Sequence, residues 1–148
     1  RPGEVDFQAL MNSRGRDNLW EDRDFPADNS SLSINPERPS PSIALLFRAG
    51  VEWKRPHEIA KNPELFTNGI SADDFQMGHG IDDSYFLASC TTLASYTDAT
   101  TSDGKMLFRL FCSEQYFKEG MVGIRFFKNG QWIHVAVDTR IPCIQNKS

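Results

Sequence analysis

Gly78-His79-Gly80-Ile81-Asp82-Asp83-Ser84-Tyr85-Phe86-Leu87-Ala88-Ser89 runs from a glycine-rich loop into a helix. Beyond Ser84, the apolar residues Phe86, Leu87, Cys90, Leu93 and Ala94 recur at three- and four-residue steps, which gathers them on one helical face. Asp82 or Asp83 can serve as the N-cap acceptor. Ser84 stands at the junction. Such a junction suits a nucleophile, because a helix N-terminus carries partial positive charge and stabilises an anion. Here the position holds a hydroxyl.

Downstream, Met106, Leu107, Leu110 and Phe111 predict a second, shorter amphipathic helix after the break from Thr100 to Gly104. Met121 to Phe127 and Trp132 to Val137 predict two strands. The Asn129-Gly130 pair between them is a two-residue hairpin signal, since a type I′ turn needs positive φ at both positions. In the second strand Ile133, Val135 and Val137 share one face, and Trp132, His134 and Ala136 the other. Upstream, Asn68-Gly69 marks a turn, and Pro56 to Ala60 reads as a short helix with proline at an early position. Ser42 to Arg48 is a short apolar run before Gly50. Residues 26 to 42 hold four of the eight prolines among many Ser and Asn, which is loop chemistry. Residues 1 to 19 form a polar N-terminal extension with one amphipathic patch, Phe7 to Met11, suited to a short helix. No internal repeat is visible. The fold class expected is α+β, a central helix packed against an antiparallel hairpin.

With 148 residues the chain can bury the core of one domain. Its net charge of −4, with both signs mixed along the sequence, argues against a nucleic-acid partner, which calls for a basic face. No apolar run approaches the ~20 residues that span a membrane. The sequence begins Arg1-Pro2-Gly3, without Met or a signal-type apolar run, which is read as a processing, cloning or fragment boundary. Cys90, Cys112 and Cys143 are odd in number and lack metal-type spacing, so an intracellular, reducing setting of cytoplasmic type is expected rather than a disulfide framework.

Four blocks carry a family resemblance. Asp83-Ser84-Tyr85-Phe86-Leu87-Ala88-Ser89 resembles the calpain segment Asp-Cys-Trp-Phe-Leu-Ala-Ala, in which Cys is the nucleophile. Trp20 to Ala27 followed by Ser30-Ser31-Leu32 resembles Phe-x-Asp-x-x-Phe-Pro-x-x-x-x-Ser-Leu. Trp53-Lys54-Arg55-Pro56-His57-Glu58-Ile59 resembles Trp-x-Arg-Pro-x-Glu-Ile, and Gly130-Gln131-Trp132 through Val137-Asp138-Thr139-Arg140-Ile141-Pro142 resembles Gly-x-Trp-x-x-Val-x-Val-Asp-Asp-Arg-Leu-Pro. The blocks stand in the family's order. The resemblance implies a papain-like calpain protease core, with residues 20 to 148 forming its first, truncated subdomain. It further implies a calcium-dependent cysteine endopeptidase family, with protein substrates or partners, a second protease subdomain and further domains as companions.

Residue by residue, Ser84 falls on the nucleophilic Cys and Tyr85 on the following Trp. The family's oxyanion Gln lies six residues before the nucleophile; that position is Gly78, and Gln76 is a displaced candidate. The resemblance places calcium on loop carbonyls and acidic side chains, with Asp73, three residues before Gln76, as the matching ligand, Asp74 as its neighbouring alternative and Gly69 as a carbonyl donor. The family's catalytic His and Asn lie beyond the Pro142 block and have no counterpart before Ser148. Of the histidines present, His57 belongs to the Arg-Pro-x-Glu-Ile block, His134 alternates with valines on a strand, and His79 is expected as a solvated loop residue, a contact with Ser84 being the alternative. Cys90 is six positions past Ser84, about 240° around the helix, and reads as a core thiol; Cys112 and Cys143 are read the same way. Asp22, Asp24 and Asp28 read as a solvated acidic loop, Lys54-Arg55 as a surface pair, and Trp53 and Trp132 as core.

A serine in a site shaped for a thiolate–imidazolium pair is not activated as a thiol is. The expectation is therefore a calpain-like chain inactive as a peptidase, acting as a regulatory or binding pseudo-peptidase. The alternatives are a hydrolase that uses Ser84 with a His from outside this chain, and a fragment without independent function. An exposed apolar face is also expected where the second subdomain would pack.

Overall fold

The computed structural model describes residues 4–15, 18–67, 69–78, 80–81, 83–96 and 106–145. The element that organises it is the antiparallel pair β3 (Met121–Lys128) and β4 (Gln131–Asp138), registered from Met121 opposite Asp138 to Lys128 opposite Gln131. The turn between them has φ of 52° at Asn129 and 77° at Gly130, both positive as a type I′ turn requires. Short β2 (Phe111–Ser113) adds to the far edge of β3.

The register fixes which side chains share a face. Val122, Ile124 and Phe126 stand with Val137, Val135 and Ile133 on one side; Met121, Gly123, Arg125 and Phe127 stand with Asp138, Ala136, His134 and Trp132 on the other. The first face receives α4 (Ser84–Ser95), whose Phe86 ring lies 6.3 Å from that of Phe126. The second receives α1 (Phe7–Asn12), capped by the Asp6 carboxylate on Ala9 N. There Met11, Trp20 and Met121 form a buried cluster, with Phe7, Leu10 and Ala136 packed around it. Gly123 permits this approach: a Cβ there would stand 2.5 Å from Ser113 Cβ and 2.7 Å from the Phe7 ring. The sheet is thus sandwiched between helices, the α+β arrangement expected, and a helix from within residues 1 to 19 completes one layer of its core.

Two segments differ from the sequence reading. Met106–Leu110 is a 3-10 helix, not an α-helix, and Phe111 already belongs to β2. Its Leu107, Phe108 and Leu110 still pack inward while Met106 stays exposed, and Leu107, Ile70 and Ala94 form a second core cluster under the distal half of α4. Trp132 is not core. It is 53% exposed at the hairpin tip, edge-on to Phe127 at 5.4 Å and beneath the Arg125 guanidinium.

The apolar run after Ser42 is α2 (Pro41–Ala49), with Ser40 as N-cap, proline in the first turn and Gly50 at φ 87° ending it. The chain then enters β1 (Val51–Lys54), which pairs antiparallel with β5 (Ile141–Ile144) from some ninety residues away. Next comes α3 (Pro56–Ile59), the short helix read at Pro56. Of the turn read at Asn68-Gly69, Asn68 lies outside the described residues, and Gly69 has φ 88°. Among the described residues no helix is long and apolar enough to cross a membrane.

Candidate active site

Ser84 is the first residue of α4 and is exposed. Asp83 occupies the N-cap position, but its side chain makes no capping bond; its backbone carbonyl accepts from Phe86 N and Leu87 N at 3.0 and 3.1 Å. One carboxylate oxygen of Asp83 is buried without a partner. The capping role read for Asp83 is therefore not realised, and Asp82 lies outside the described residues. The first-turn N–H groups of α4 remain close to the Ser84 hydroxyl, where the helix end favours negative charge by about 0.3–1 kcal/mol.

That magnitude separates a thiol from a hydroxyl. A thiol of pKa about 8.5 needs roughly 2 kcal/mol to be ionised at neutral pH, within reach of a helix end and a neighbouring imidazolium. An alcohol ionises far less readily, closer to water, and asks for several times as much. A serine nucleophile therefore depends on an oriented base that takes its proton during attack.

The described histidines do not supply one from the α4 side. His134 lies on the opposite face of the sheet, its ring 6.1 Å from Phe7 of α1. His57 is exposed on α3, beside Arg55, Lys61 and Glu64 in a separate surface cleft. His79 lies outside the described residues. Gln76 is exposed in the irregular segment between the 3-10 turn Ala72–Asp74 and α4, while its neighbour Phe75 is packed under α4 against the Ile70–Ala94–Leu107 cluster. Gly78, six before Ser84, is exposed on that same segment.

The acidic pair lies in that 3-10 turn. Ser71 caps it: Asp73 N donates to Ser71 Oγ at 3.3 Å, and Ser71 N donates to Asp74 Oδ2 at 2.7 Å. Gly69, with positive φ, lies just before. Among the described residues no three acidic, His or Cys side chains cluster in a way that could hold a metal. Asp73 and Asp74 alone fall short of the six to eight oxygens that calcium takes.

Cys90 is buried on α4 and turned away from the exposed Ser84; burial pushes its thiol up from the ordinary value. Cys112 is pushed up by burial too, with Arg125 acting weakly in the other direction. All three cysteines are free thiols.

Sequence reasoning also misplaced Arg55. It is no surface residue: it is 7% exposed and acts as the hub of the domain. Its Nη1 donates to Asp138 Oδ1 at 2.7 Å, Thr139 Oγ1 at 2.9 Å and Gly120 O at 3.3 Å, and its Nη2 to Trp20 O at 2.8 Å. Burial lowers its pKa and Asp138 acts to raise it. Asp138 also accepts from Arg140 Nε and Nη2 at 3.0 and 2.8 Å, and from Asp22 N at 3.1 Å. Asp22 is likewise no solvated residue; its Oδ1 accepts from Asp24 N and Phe25 N and shapes that turn. Lys54 remains at the surface, paired with Glu52 at 3.1 Å. The signal available in the sequence was the proline after Arg55, which starts α3 and turns the guanidinium inward while Glu58 holds Arg55 N at 2.6 Å. The blocks at Trp20, Arg55 and Asp138-Thr139-Arg140 thus meet in one bonded cluster.

Comparison with known proteins agrees with this convergence. The family model described as calpain family cysteine protease matches residues 20–148. Calpain-A of Drosophila melanogaster is 38% identical over 93% of this chain and 15% of its own length. Calpain-9 of Homo sapiens is 35% identical over 89% of the chain and 17% of its own length. The calpain-2 catalytic subunit of Bos taurus is 35% identical over 84% of the chain and 16% of its own. The chain therefore spans about a sixth of the length of these relatives. On the family match and these identities, the chain belongs to the calpain family of cysteine proteases.

Proposed function

We propose that this chain is the first part of a calpain-type protease core that engages polypeptide without cleaving it, with Ser84 standing where the family's nucleophilic Cys would be. The observation that carries this reading is the exposed residue at the first position of α4, with His134 on the opposite face of the sheet and His57 in a separate cleft. Gln76 is retained as a displaced oxyanion donor, supported by its place on the segment leading to α4. The companions of the reading are a protein substrate or partner, the remaining protease subdomain and further domains, in an intracellular, cytoplasmic setting that suits three free thiols.

Calcium enters through Asp73, Asp74 and the Gly69 carbonyl, and these residues do not complete a calcium site by themselves. No step of the reading passes through the metal. The second reading, hydrolysis through Ser84 with a His outside this chain, is favoured by the helix end at Ser84. The test is incubation of the natural full-length protein with an unfolded casein, with and without calcium. Binding is followed by anisotropy and products by mass spectrometry. Saturable binding without new peptides is expected; new peptides that vanish on Ser84→Ala support the second reading instead.

A further inference from the structure

The face of α4 turned towards the sheet does not close on it. A cavity of about 460 Å³ remains, walled by Phe86 and Cys90 of α4, Ile124 and Phe126 of β3, and Phe66 and Leu107 from the flanking segments. Phe66 is fixed edge-on against Phe108 and Phe111, each at 4.7 Å, so this wall is braced by ring contacts. The volume lies inside the ~300–1,000 Å³ range of small-molecule pockets. Its largely apolar walls favour apolar solutes, because water finds few partners along them.

The charges around it select further. Among the described residues the only carboxylate lining the cavity is Asp74, already holding Ser71 N at 2.7 Å, and no described Lys, Arg or His lines it. An anionic ligand would meet this carboxylate and find no cation among the described lining residues. We propose that the cavity beneath α4 is a binding site for a neutral aromatic or aliphatic small molecule. Occupancy would fasten the helix that begins at Ser84 to β3, because α4 supplies part of the wall. This site is independent of whether Ser84 is a nucleophile.

The probe is N-phenyl-1-naphthylamine, neutral and fluorescent in apolar surroundings, set against its anionic relative 1-anilinonaphthalene-8-sulfonate, on the natural full-length protein. Saturable binding of one neutral probe per chain is expected, at least tenfold tighter than the sulfonate. Cys90→Phe fills the cavity and should weaken the neutral probe at least tenfold with circular dichroism unchanged. A second measurement does not depend on that variant folding. The bound neutral probe should slow N-ethylmaleimide modification of Cys90 several-fold while leaving Cys112 and Cys143, which do not line the cavity, at their own rates. Equal affinity for the two probes, full binding by folded Cys90→Phe, or an unprotected Cys90 would each overturn the proposal.

Discussion

Replacing Arg55 by Met keeps most of the side-chain volume and removes the guanidinium, so it isolates what the hub contributes. Four acceptors lose a donor: Asp138 Oδ1, Thr139 Oγ1, Gly120 O and Trp20 O. Two are cushioned, since Asp138 keeps Arg140 and Gly120 O keeps Thr139 N at 3.1 Å. Trp20 O, in a buried setting, loses its one donor among the described residues. Breaking a buried ion pair from one side costs about 3–5 kcal/mol, and an orphaned buried carbonyl about 1–3 kcal/mol. Because Arg140 still neutralises Asp138, we expect a net loss of about 4 kcal/mol. For a domain near this size that is a fall of roughly 8–16 °C in Tm. Arg55→Lys keeps the charge but cannot serve two directions at once, and should lose about half as much. Urea unfolding followed by tryptophan fluorescence measures both. Three tryptophans report, and Trp20 lies at the hub itself. A loss below 1 kcal/mol for Arg55→Met, with an unchanged slope, would refute the assignment of Arg55 as the residue that ties the blocks together. So would Arg55→Lys being as damaging as Arg55→Met.

Gly123→Ala should cost about 1–3 kcal/mol and loosen α1, since its Cβ would meet Ser113 and the Phe7 ring; faster hydrogen exchange of residues 7–12 relative to β4 checks this. Gly130→Ala, at φ 77°, should cost about 1–2 kcal/mol in a urea titration and leave the core clusters intact. The buried thiols give a pH dependence. Cys90 and Cys112 are held above their ordinary value of 9.0 in the folded chain, so the unfolded chain ionises first. Their contribution is complete below about pH 9 and is lost as pH rises through their folded values. Stability should fall less steeply between pH 8.5 and 10 in Cys90→Ala than in the wild type, and a parallel decline in the two would show that Cys90 is not responsible.

The fold was legible where a local rule decides it. Asn129-Gly130 sets the hairpin, the three- and four-residue spacing after Ser84 sets α4, and Pro56 marks the start of α3, whereas Ser40-Pro41, read as loop, caps and opens α2. What escaped depends on partners distant in sequence. Arg55 beside Lys54 reads as a charged surface pair; only the arrival of Asp138, eighty-three residues later, makes its burial affordable. Trp132 reads as core because tryptophan usually is, yet it stands at a strand end beyond the reach of α1. The 3-10 geometry of Met106–Leu110 escaped because its apolar spacing also suits an α-helix, and β2 begins before a second turn can form. Around the candidate site, the sequence placed Ser84 at the helix start, and the register of β3 and β4 added what spacing cannot show, that His134 belongs to the opposite face.

The most direct measurement is peptidase activity of the full-length protein, with calcium, for wild type, Ser84→Ala and Ser84→Cys. The expected result is no turnover by wild type or Ser84→Ala, with polypeptide binding retained in both. Gain of turnover in Ser84→Cys would mean that the rest of the site is intact and that one oxygen atom in place of sulfur silences it. Wild-type turnover that Ser84→Ala abolishes would contradict the central claim and make Ser84 a working nucleophile.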